Sequence, residues 1–576
     1  MSVRNLDSLF DPASVAVIGA STRPASVGAT VWRNLTRGGF KGPLYAVNPK
    51  HASLDGRPCH ARVADLPGAP ELAVICTPPA TVAGLVNELA AKGTRAAVVL
   101  SAGMTPAQKQ DMLDAARPHL LRLLGPNCIG LLAPHIGLNA SFAHINAQPG
   151  ELAFVSQSGA LVTAMLDWAD AQRIGFSHFV SLGEHADVDF GDMLDYLATD
   201  ARTRAILLYV ESIESPRKFM SAARAAARNK PVIVIKSGRS AQGQKAAASH
   251  TGALAGSDAV YDAAIARAGM LRVNSLQELF LAAETLARFR TNRSESLTIL
   301  TNGGGAGVMA ADAAAQVNVP LTDLGASTLA QLDAVLPANW SHGNPVDIIG
   351  DAPVKRYGEA LQILHNDPNG AAVLFIHAPT AIVPSAEIAT ALSALPQSAT
   401  AWLMGCWLGG HGVEAARQLF KGAGIADYPT PEEAVRAFSM LLNFHRNQAE
   451  LMEAPPVLPV GTPAEAAPDK AVVKAIVRAA LSSGREMLNE AEAKAVLEAY
   501  RIAVVATRVV RADPVAAAVE AGEIGFPVAL KLLSPEISHK SDLGGVALGL
   551  DTAEEVREAA QTMLARIRRL RPQARI

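Results

Sequence analysis

The chain has 576 residues, 49% of them hydrophobic and 18% charged, a composition ordinary for a globular α/β protein that excludes long disorder. Single hydrophobic cores stop growing near roughly 250–300 residues, so several domains are required. Lysine and arginine number 51 against 53 aspartates and glutamates, a formal net charge of -2, which leaves no bulk electrostatic pull toward nucleic acid or a membrane surface.

Residues 1–15 carry Asp7 and Asp11 where a signal peptide would need an apolar run, and no later stretch approaches about 18 uninterrupted apolar residues. Neither export nor a membrane span is expected, and the expected compartment is the cytoplasm. Short apolar runs then alternate with helical stretches: Val15-Ala-Val-Ile18, Pro43-Leu-Tyr-Ala-Val47, Leu72-Ala-Val-Ile75, Ala96-Ala-Val-Val-Leu100 and Leu121-Arg-Leu-Leu124. This alternation predicts a parallel sheet with crossover helices over residues 1–145. A second such set, over 146–292, runs through Leu152-Ala-Phe-Val155, Phe176-Ser-His-Phe-Val180, Ala205-Ile-Leu-Leu-Tyr-Val210 and Val232-Ile-Val-Ile235. A third, over 293–452, holds Leu297-Thr-Ile-Leu300, Ala371-Ala-Val-Leu-Phe-Ile376 and Ala401-Trp-Leu-Met404, and closes on a helix from Pro431. The Pro- and Ala-rich stretch 454–467 reads as a linker within a connecting segment at 453–484. In 485–576, Ile502-Ala-Val-Val505 and Pro527-Val-Ala-Leu-Lys531 read as strands and 552–570 as a helix; so small a piece, ending as though entering a new strand, is expected to be part of a larger domain. Cys59, Cys76, Cys128 and Cys406 include no close pair, which fits reduced thiols and neither a disulfide frame nor a zinc site.

Three segments open with a buried strand running into small residues and a helix: Ile18-Gly19-Ala20-Ser21, Val155-Ser156-Gln157-Ser158-Gly159-Ala160, and Leu300-Thr301-Asn302-Gly303-Gly304-Gly305. Such turns expose backbone N–H groups at the positive end of a helix dipole and suit phosphate or carboxylate, although tight turns also use Gly and Ser for steric reasons alone. The first departs from G-x-G-x-x-G, since the next glycine is Gly28, and no P-loop accompanies it, so a standard dinucleotide site is not supported.

His250 lies in Ser249-His250-Thr251-Gly252-Ala253, within a stretch, 236–256, so rich in Gly, Ser and Ala that no packed helix or strand is expected to hold it. A tethered histidine suits a phosphoryl carrier. The neutral imidazole, well populated near histidine's unperturbed pKa of roughly 6.5, attacks phosphorus through one nitrogen while a carboxylate holds the other as a donor. Two helix N-termini, at Ser158-Gly159 and Gly304-Gly305, are expected to oppose each other and stabilise the charge of the phosphohistidine.

Taken in order, Gly19-Ala20-Ser21, Asn48-Pro49-Lys50, Cys76-Thr77-Pro78-Pro79, Gly125-Pro126-Asn127-Cys128-Ile129-Gly130, Ser156-Gln157-Ser158-Gly159, Ser249-His250-Thr251-Gly252-Ala253, Asn302-Gly303-Gly304-Gly305-Ala306-Gly307 and Asn344-Pro345-Val346-Asp347 resemble the ADP-forming acyl-CoA synthetases (acetate–CoA ligases, ADP-forming), relatives of succinyl-CoA synthetase. The resemblance implies an α/β chain of three consecutive parallel-sheet domains followed by a partial ATP-grasp domain: a Rossmann-like CoA-binding domain at 1–145, a flavodoxin-like phosphohistidine domain at 146–292, a second flavodoxin-like domain at 293–452, and the first part of the ATP-grasp domain at 485–576. It implies phosphorylation of His250, with Glu211 as its orienting carboxylate, and phosphate contacts from Ser156, Gln157, Ser158, Gly159, Asn302, Gly303, Gly304 and Gly305. It implies CoA contacts from Gly19, Ala20, Ser21, Lys50, Thr77, Pro78, Ser101, Gly103 and Asn127. In the tail, Ile537-Ser538-His539-Lys540-Ser541-Asp542-Leu543-Gly544-Gly545-Val546 matches the family's ATP-grasp start, which implies a relay role for His539 and nucleotide contact by Lys531. The partners implied are CoA, ATP or ADP and a small carboxylic acid, in a homo-oligomer. Mg2+ is also implied, its ligands expected in the half of the ATP-grasp domain beyond these residues.

The implied reaction is carboxylate plus CoA plus ATP giving acyl-CoA, ADP and phosphate, through phosphohistidine and acyl phosphate. A regulatory CoA-binding protein is the alternative, but a sensor needs neither His250 nor Glu211. A Rossmann-type dehydrogenase predicts an acidic residue on the ribose, whereas the second strand ends in Val47-Asn48-Pro49-Lys50.

Overall fold

The computed structural model describes residues 3–245, 257–289, 294–370, 372–396, 402–453, 467–534, 536–537 and 540–576. The chain divides into two compact units, Met1–Glu453 and Ala454–Ile576. Both expected histidine carriers, His250 and His539, lie outside the described residues, as does most of the expected linker.

The first unit is α/β with mostly parallel sheets. Strands β1 (Val15–Ile18), β2 (Leu44–Val47), β3 (Ser53–Leu54), β4 (Arg57–His60), β5 (Leu72–Ile75), β6 (Ala96–Val99) and β7 (Arg122–Leu124) form a sheet in the order β3-β4-β2-β1-β5-β6-β7. β1, β5 and β6 are buried throughout, as the uninterrupted apolar runs of a sheet covered on both faces require. A second sheet is built from β8 (Gly130–Ala133), β9 (Leu138–Ser141), β10 (Pro149–Ser156), β11 (Phe176–Ser181), β12 (Ala205–Val210), β13 (Val232–Lys236) and β14 (Leu271–Val273), in the order β14-β13-β12-β10-β11-β8-β9. The third contains β15 (Leu297–Thr301), β16 (Val346–Asp347), β17 (Ala372–His377), β18 (Leu403–Trp407) and β19 (Ala426–Asp427), in the order β16-β15-β17-β18-β19, parallel throughout.

One expectation changes here. The hairpin β8–β9 pairs antiparallel to β11, so the second sheet begins ahead of the boundary expected at 145/146. Gly130 permits the hairpin's close approach: its φ is +112°, and a Cβ there would lie 2.2 Å from the Ala140 carbonyl oxygen. Of the run 236–256, residues 236–245 are described. Lys236 is the buried last residue of β13, its Nζ 4.5 Å from the Tyr261 ring centroid, and 241–245 is helical.

Core side chains run from sheet to sheet. Trp32 and Val31 belong to the same buried cluster as Leu197 and Phe219, while Phe154 and Leu166 share another with Ile299 and Ala314. The four cysteines are free thiols.

In the second unit, β20 (Val528–Lys531) pairs antiparallel with β21 (Val546–Leu550), and the helices Pro514–Ile524 and Ala553–Leu570 pack together through Ala517, Ala521, Val556 and Ala560. The expected strand at Ile502–Val505 is not formed: these residues have no regular secondary structure. An apolar run supplies strand propensity but not a neighbouring edge. Among the described helices none is long and apolar enough to cross a membrane.

Gly28 tests the packing at the start of the first sheet. A Cβ there would lie 2.0 Å from the Gly19 carbonyl oxygen, whereas one at Gly84, on the helix Pro79–Lys92, meets nothing within 4 Å. Gly28→Ala is expected to destabilise the first unit by about 1–3 kcal/mol, and Gly84→Ala to be neutral or stabilising by under about 1 kcal/mol. Thermal melts of both variants check this, and equal melting temperatures would contradict it.

Candidate active site

The parallel strands of the first sheet place the expected CoA residues along one edge. Gly19, Ala20 and Ser21 follow β1, Lys50 follows β2, Thr77 and Pro78 follow β5, Ser101 and Gly103 follow β6, and Asn127 follows β7. The chain leaves β1 for β2 on one side and returns at β5 on the other, the switch-point geometry outside which open α/β sheets bind ligands. Gly19 sits in it at φ +89°, where a Cβ would come within 3.1 Å of the Thr77 methyl. The turns are laced together. Asn48 Nδ2 donates to the Ala20 carbonyl at 2.8 Å, and Asn48 Oδ1 accepts the Lys50 N–H at 3.0 Å. Ser101 Oγ donates to the Thr77 carbonyl at 2.5 Å, and the Asn127 N–H donates to the Ser101 carbonyl at 3.0 Å. Lys50 is exposed beside this edge.

One part of the expected device is absent from this turn. The helix after β1 begins at Val27, well past Ser21, and Ser26 Oγ already accepts the Ala29 N–H. The first turn offers a close backbone approach and not an open helix N-terminus.

The second sheet repeats the switch point at β10, between β11 and β12. The helix Gly159–Ala171 starts directly beyond, with no side-chain cap from Ser158, so the N–H groups of its first turn have no partner within the helix. Glu211 follows β12, half-buried, next to this N-terminus. Among the described residues its carboxylate has no hydrogen-bond or ion-pair partner. Gln157 and Ser156 are not the open phosphate ligands expected. Gln157 Oε1 accepts the N–H groups of Glu211 at 2.6 Å and Ser212 at 3.1 Å. Ser156 is fully buried, and its hydroxyl exchanges hydrogen bonds with the backbone of Ser158. Side chains at a strand end must first satisfy the backbone groups orphaned there.

The third sheet has its switch at β15, between β16 and β17. Asn302 bridges it: Nδ2 donates to the Ala378 carbonyl and Oδ1 accepts the Ala378 N–H, each at 2.8 Å. The expected ligand is therefore a brace, while Gly304 and Gly305 open the helix Gly304–Gln316 without a side-chain cap. A Cβ at Gly159 would meet the Ile129 side chain, and one at Gly304 the Asp347 carboxylate. Behind Asn302, buried His377 contacts Tyr357 Oη at 3.3 Å and Ser385 Oγ at 3.2 Å, and burial pushes its pKa down to about 4, so it is neutral.

In the second unit, Lys531 Nζ lies 2.7 Å from Glu490 Oε1 and Lys540 Nζ lies 3.2 Å from Oε2, lining a cavity of about 580 Å3 with Lys494. The hydrogen bond from Lys531, then that from Lys540, hold the Glu490 carboxyl below its usual range. Among the described residues no group of three or more His, Cys, Asp or Glu side chains is arranged to hold a metal ion.

Sequence reasoning missed Glu184 and His185. The loop carrying them is bound to the end of β7: the Glu184 N–H donates to the Pro126 carbonyl at 2.9 Å and the Ala186 N–H to the Gly125 carbonyl at 3.0 Å. Glu184 also pairs with Lys109 and accepts from Asn127 Nδ2 at 3.1 Å. The available signal was Gly183, at φ +57° with a Cβ position 2.3 Å from the Pro126 carbonyl oxygen.

Four family models match in series: a CoA binding domain at 13–134, a succinyl-CoA ligase like flavodoxin domain at 149–286, a ligase-CoA domain at 297–438 and an ATP-grasp domain at 479–576. Acetate–CoA ligase (ADP-forming) I of Archaeoglobus fulgidus is 39% identical over 99% of this chain and 81% of its own length. The alpha subunit of acetate–CoA ligase (ADP-forming) I of Pyrococcus furiosus is 37% identical over 78% of this chain and 100% of its own. Among solved structures, the dinucleotide-forming acetyl-coenzyme A synthetase 1 of Ca. Korarchaeum cryptofilum, in complex with phosphate and ADP, superposes with a TM-score of 0.71 at 34% identity, covering 79% of this chain and 99% of that one. The chain belongs to the ADP-forming acetate–CoA ligase family of acyl-CoA synthetases, whose members are acid–thiol ligases.

Proposed function

We propose that the chain interconverts a small carboxylic acid, CoA and ATP with acyl-CoA, ADP and phosphate, using His250 as the phosphoryl carrier. The observation that carries this reading is the adjacency of Glu211 and the uncapped helix N-terminus at Ser158–Gly159 on neighbouring strand ends. One group accepts a ring N–H from an imidazole and the other receives a phosphoryl anion, the two needs of a phosphohistidine. In the forward direction a His539 ring nitrogen attacks the γ-phosphorus of ATP and ADP leaves, and a His250 ring nitrogen then takes the phosphoryl group from His539, which is freed. Glu211 accepts the hydrogen of the other ring nitrogen and supports the cationic ring. The acid's carboxylate oxygen then takes the phosphoryl group from His250, and the CoA thiol attacks the acyl carbon and expels phosphate.

CoA is assigned to the edge formed by Gly19, Ala20, Ser21, Lys50, Thr77, Pro78, Ser101, Gly103 and Asn127, with Lys50 facing a CoA phosphate. Phosphate is assigned to the backbone around Ser158–Gly159 and Gly303–Gly305, with Ser156, Gln157 and Asn302 holding those turns in shape. Lys531 and Lys540 are assigned to nucleotide phosphates, which replace the Glu490 carboxylate. The domain reading is that of three consecutive α/β domains followed by part of an ATP-grasp domain, in a cytoplasmic homo-oligomer. A regulatory CoA-binding role draws no support from relatives named for ligase activity.

Incubating the chain with acetyl-CoA and labelled phosphate is expected to place acid-labile, base-stable label on His250. His250→Asn is expected to lose it, and Glu211→Gln to slow it by roughly 10²-fold; undiminished label in His250→Asn would refute the carrier assignment. Lys50→Ala is expected to weaken CoA binding by about fivefold at low salt, and by less as salt rises. Calorimetry against CoA at two ionic strengths checks this, and equal affinities at low salt would remove Lys50 from the site.

A further inference from the structure

The proton on His185 can be located from its neighbours. Gln157 Oε1 already accepts two backbone N–H groups, those of Glu211 and Ser212, and only the oxygen of a carboxamide can accept them. Its amide orientation is thereby set by chemistry. The nitrogen Nε2 then faces His185 Nε2 at 2.7 Å, with Ser212 Oγ at 3.4 Å as a weaker second partner. An amide nitrogen only donates, so His185 Nε2 is the unprotonated, accepting nitrogen, and the ring proton of the neutral imidazole is on Nδ1. A hydrogen on Nε2 would set two donors face to face.

His185 is itself firmly placed. Its backbone lies in the left-handed region at φ 38°, its N–H donates to the Leu182 carbonyl at 3.2 Å, and residues on both sides are bound to the Gly125–Pro126 backbone. The same loop reaches Asn127 through Glu184, and Asn127 continues to Ser101 and Thr77. One hydrogen-bonded path thus runs from the turn after β5 in the first sheet to the backbone of Glu211 in the second.

We infer that His185 is a positioning residue for Glu211, acting through Gln157, and that its loop couples occupation of the CoA edge to the placement of that carboxylate. The inference rests on the reading of Glu211 and His250 given above. The path ends on the Glu211 backbone N–H. Its effect is to hold the Glu211 backbone where the carboxylate meets an imidazole.

Two measurements on the full chain test it. In protein labelled with ¹⁵N-histidine, with the His185 signals assigned by their loss in His185→Gln, the coupling pattern is expected to show hydrogen on Nδ1 and none on Nε2. An Nε2–H ring would overturn the clamp, and this readout is independent of ligase chemistry. In the labelling reaction with acetyl-CoA and phosphate, His185→Phe is expected to lower the rate constant at saturating substrates by about tenfold, the consequence of leaving a buried amide donor unsatisfied. His185→Gln, whose side-chain oxygen can accept from Gln157, is expected to restore most of it. Asn127→Ala combined with His185→Phe is expected to lose less than the product of the two single effects. A wild-type rate in His185→Phe would overturn positioning, and multiplicative losses would overturn the coupling. Absence of label in the wild-type chain would instead count against the phosphohistidine reading, leaving the tautomer measurement to decide the clamp.

Discussion

A single carboxamide oxygen, that of Gln157, takes the backbone N–H groups of Glu211 and Ser212 at the point where β12 runs out of sheet partners. Past that point the strand has no neighbour to accept its N–H donors, and an unpaired buried donor costs on the order of 1–3 kcal/mol. By accepting both, Gln157 fixes the direction in which the chain leaves the sheet. The Glu211 carboxylate consequently lies at a set offset from the helix N-terminus at Gly159, because Gln157 belongs to the turn that starts that helix. The candidate chemistry needs an acceptor and an anion cradle held at one spacing, and this bond supplies the spacing.

The same solution recurs at each switch point. Asn48 ties the β2 turn to the Ala20 carbonyl, Gln157 ties the β10 turn to the end of β12, and Asn302 ties the β15 turn to Ala378 beyond β17. Parallel strands diverge as they leave a sheet, and a carboxamide carries both a donor and an acceptor on a short arm that can span the gap. The helices Gly159–Ala171 and Gly304–Gln316 begin without side-chain caps, which leaves their first-turn N–H groups and positive dipole ends available to an anion.

Much of this was legible in the sequence because strands buried on both faces read as unbroken apolar runs, and Val15-Ala-Val-Ile18 or Leu72-Ala-Val-Ile75 admit few other readings. Small residues at the strand ends coincide with the switch point of each of the three sheets. Partner choice was not legible: Gly130–Ala133 has the pattern of a strand, yet nothing local says that it joins β11 in the second sheet. Ile502–Val505 has a strand's composition and no strand to pair with among the described residues. At the site, residue type suggested ligands where the structure has braces, since Gln157 and Asn302 offer polar atoms whose direction only tertiary contacts decide. His185 was invisible for the same reason, its role depending on a loop that closes onto residues 125–127 from far along the chain.

A carboxylate at the end of an element is often recruited to hold nearby backbone, as Asp189 and Asp192 do in the capping box of the helix Phe190–Thr199, where each side chain accepts a backbone N–H of the other. Such a group is committed and cannot follow the changing charge of a substrate. Glu211 is relieved of that duty by Gln157, and Gln157 is kept in register by His185. The layering has a chemical consequence. A phosphohistidine carries its ring N–H only toward an acceptor with capacity to spare, so the residues two steps removed from the reacting phosphorus decide whether the nearest carboxylate can serve it.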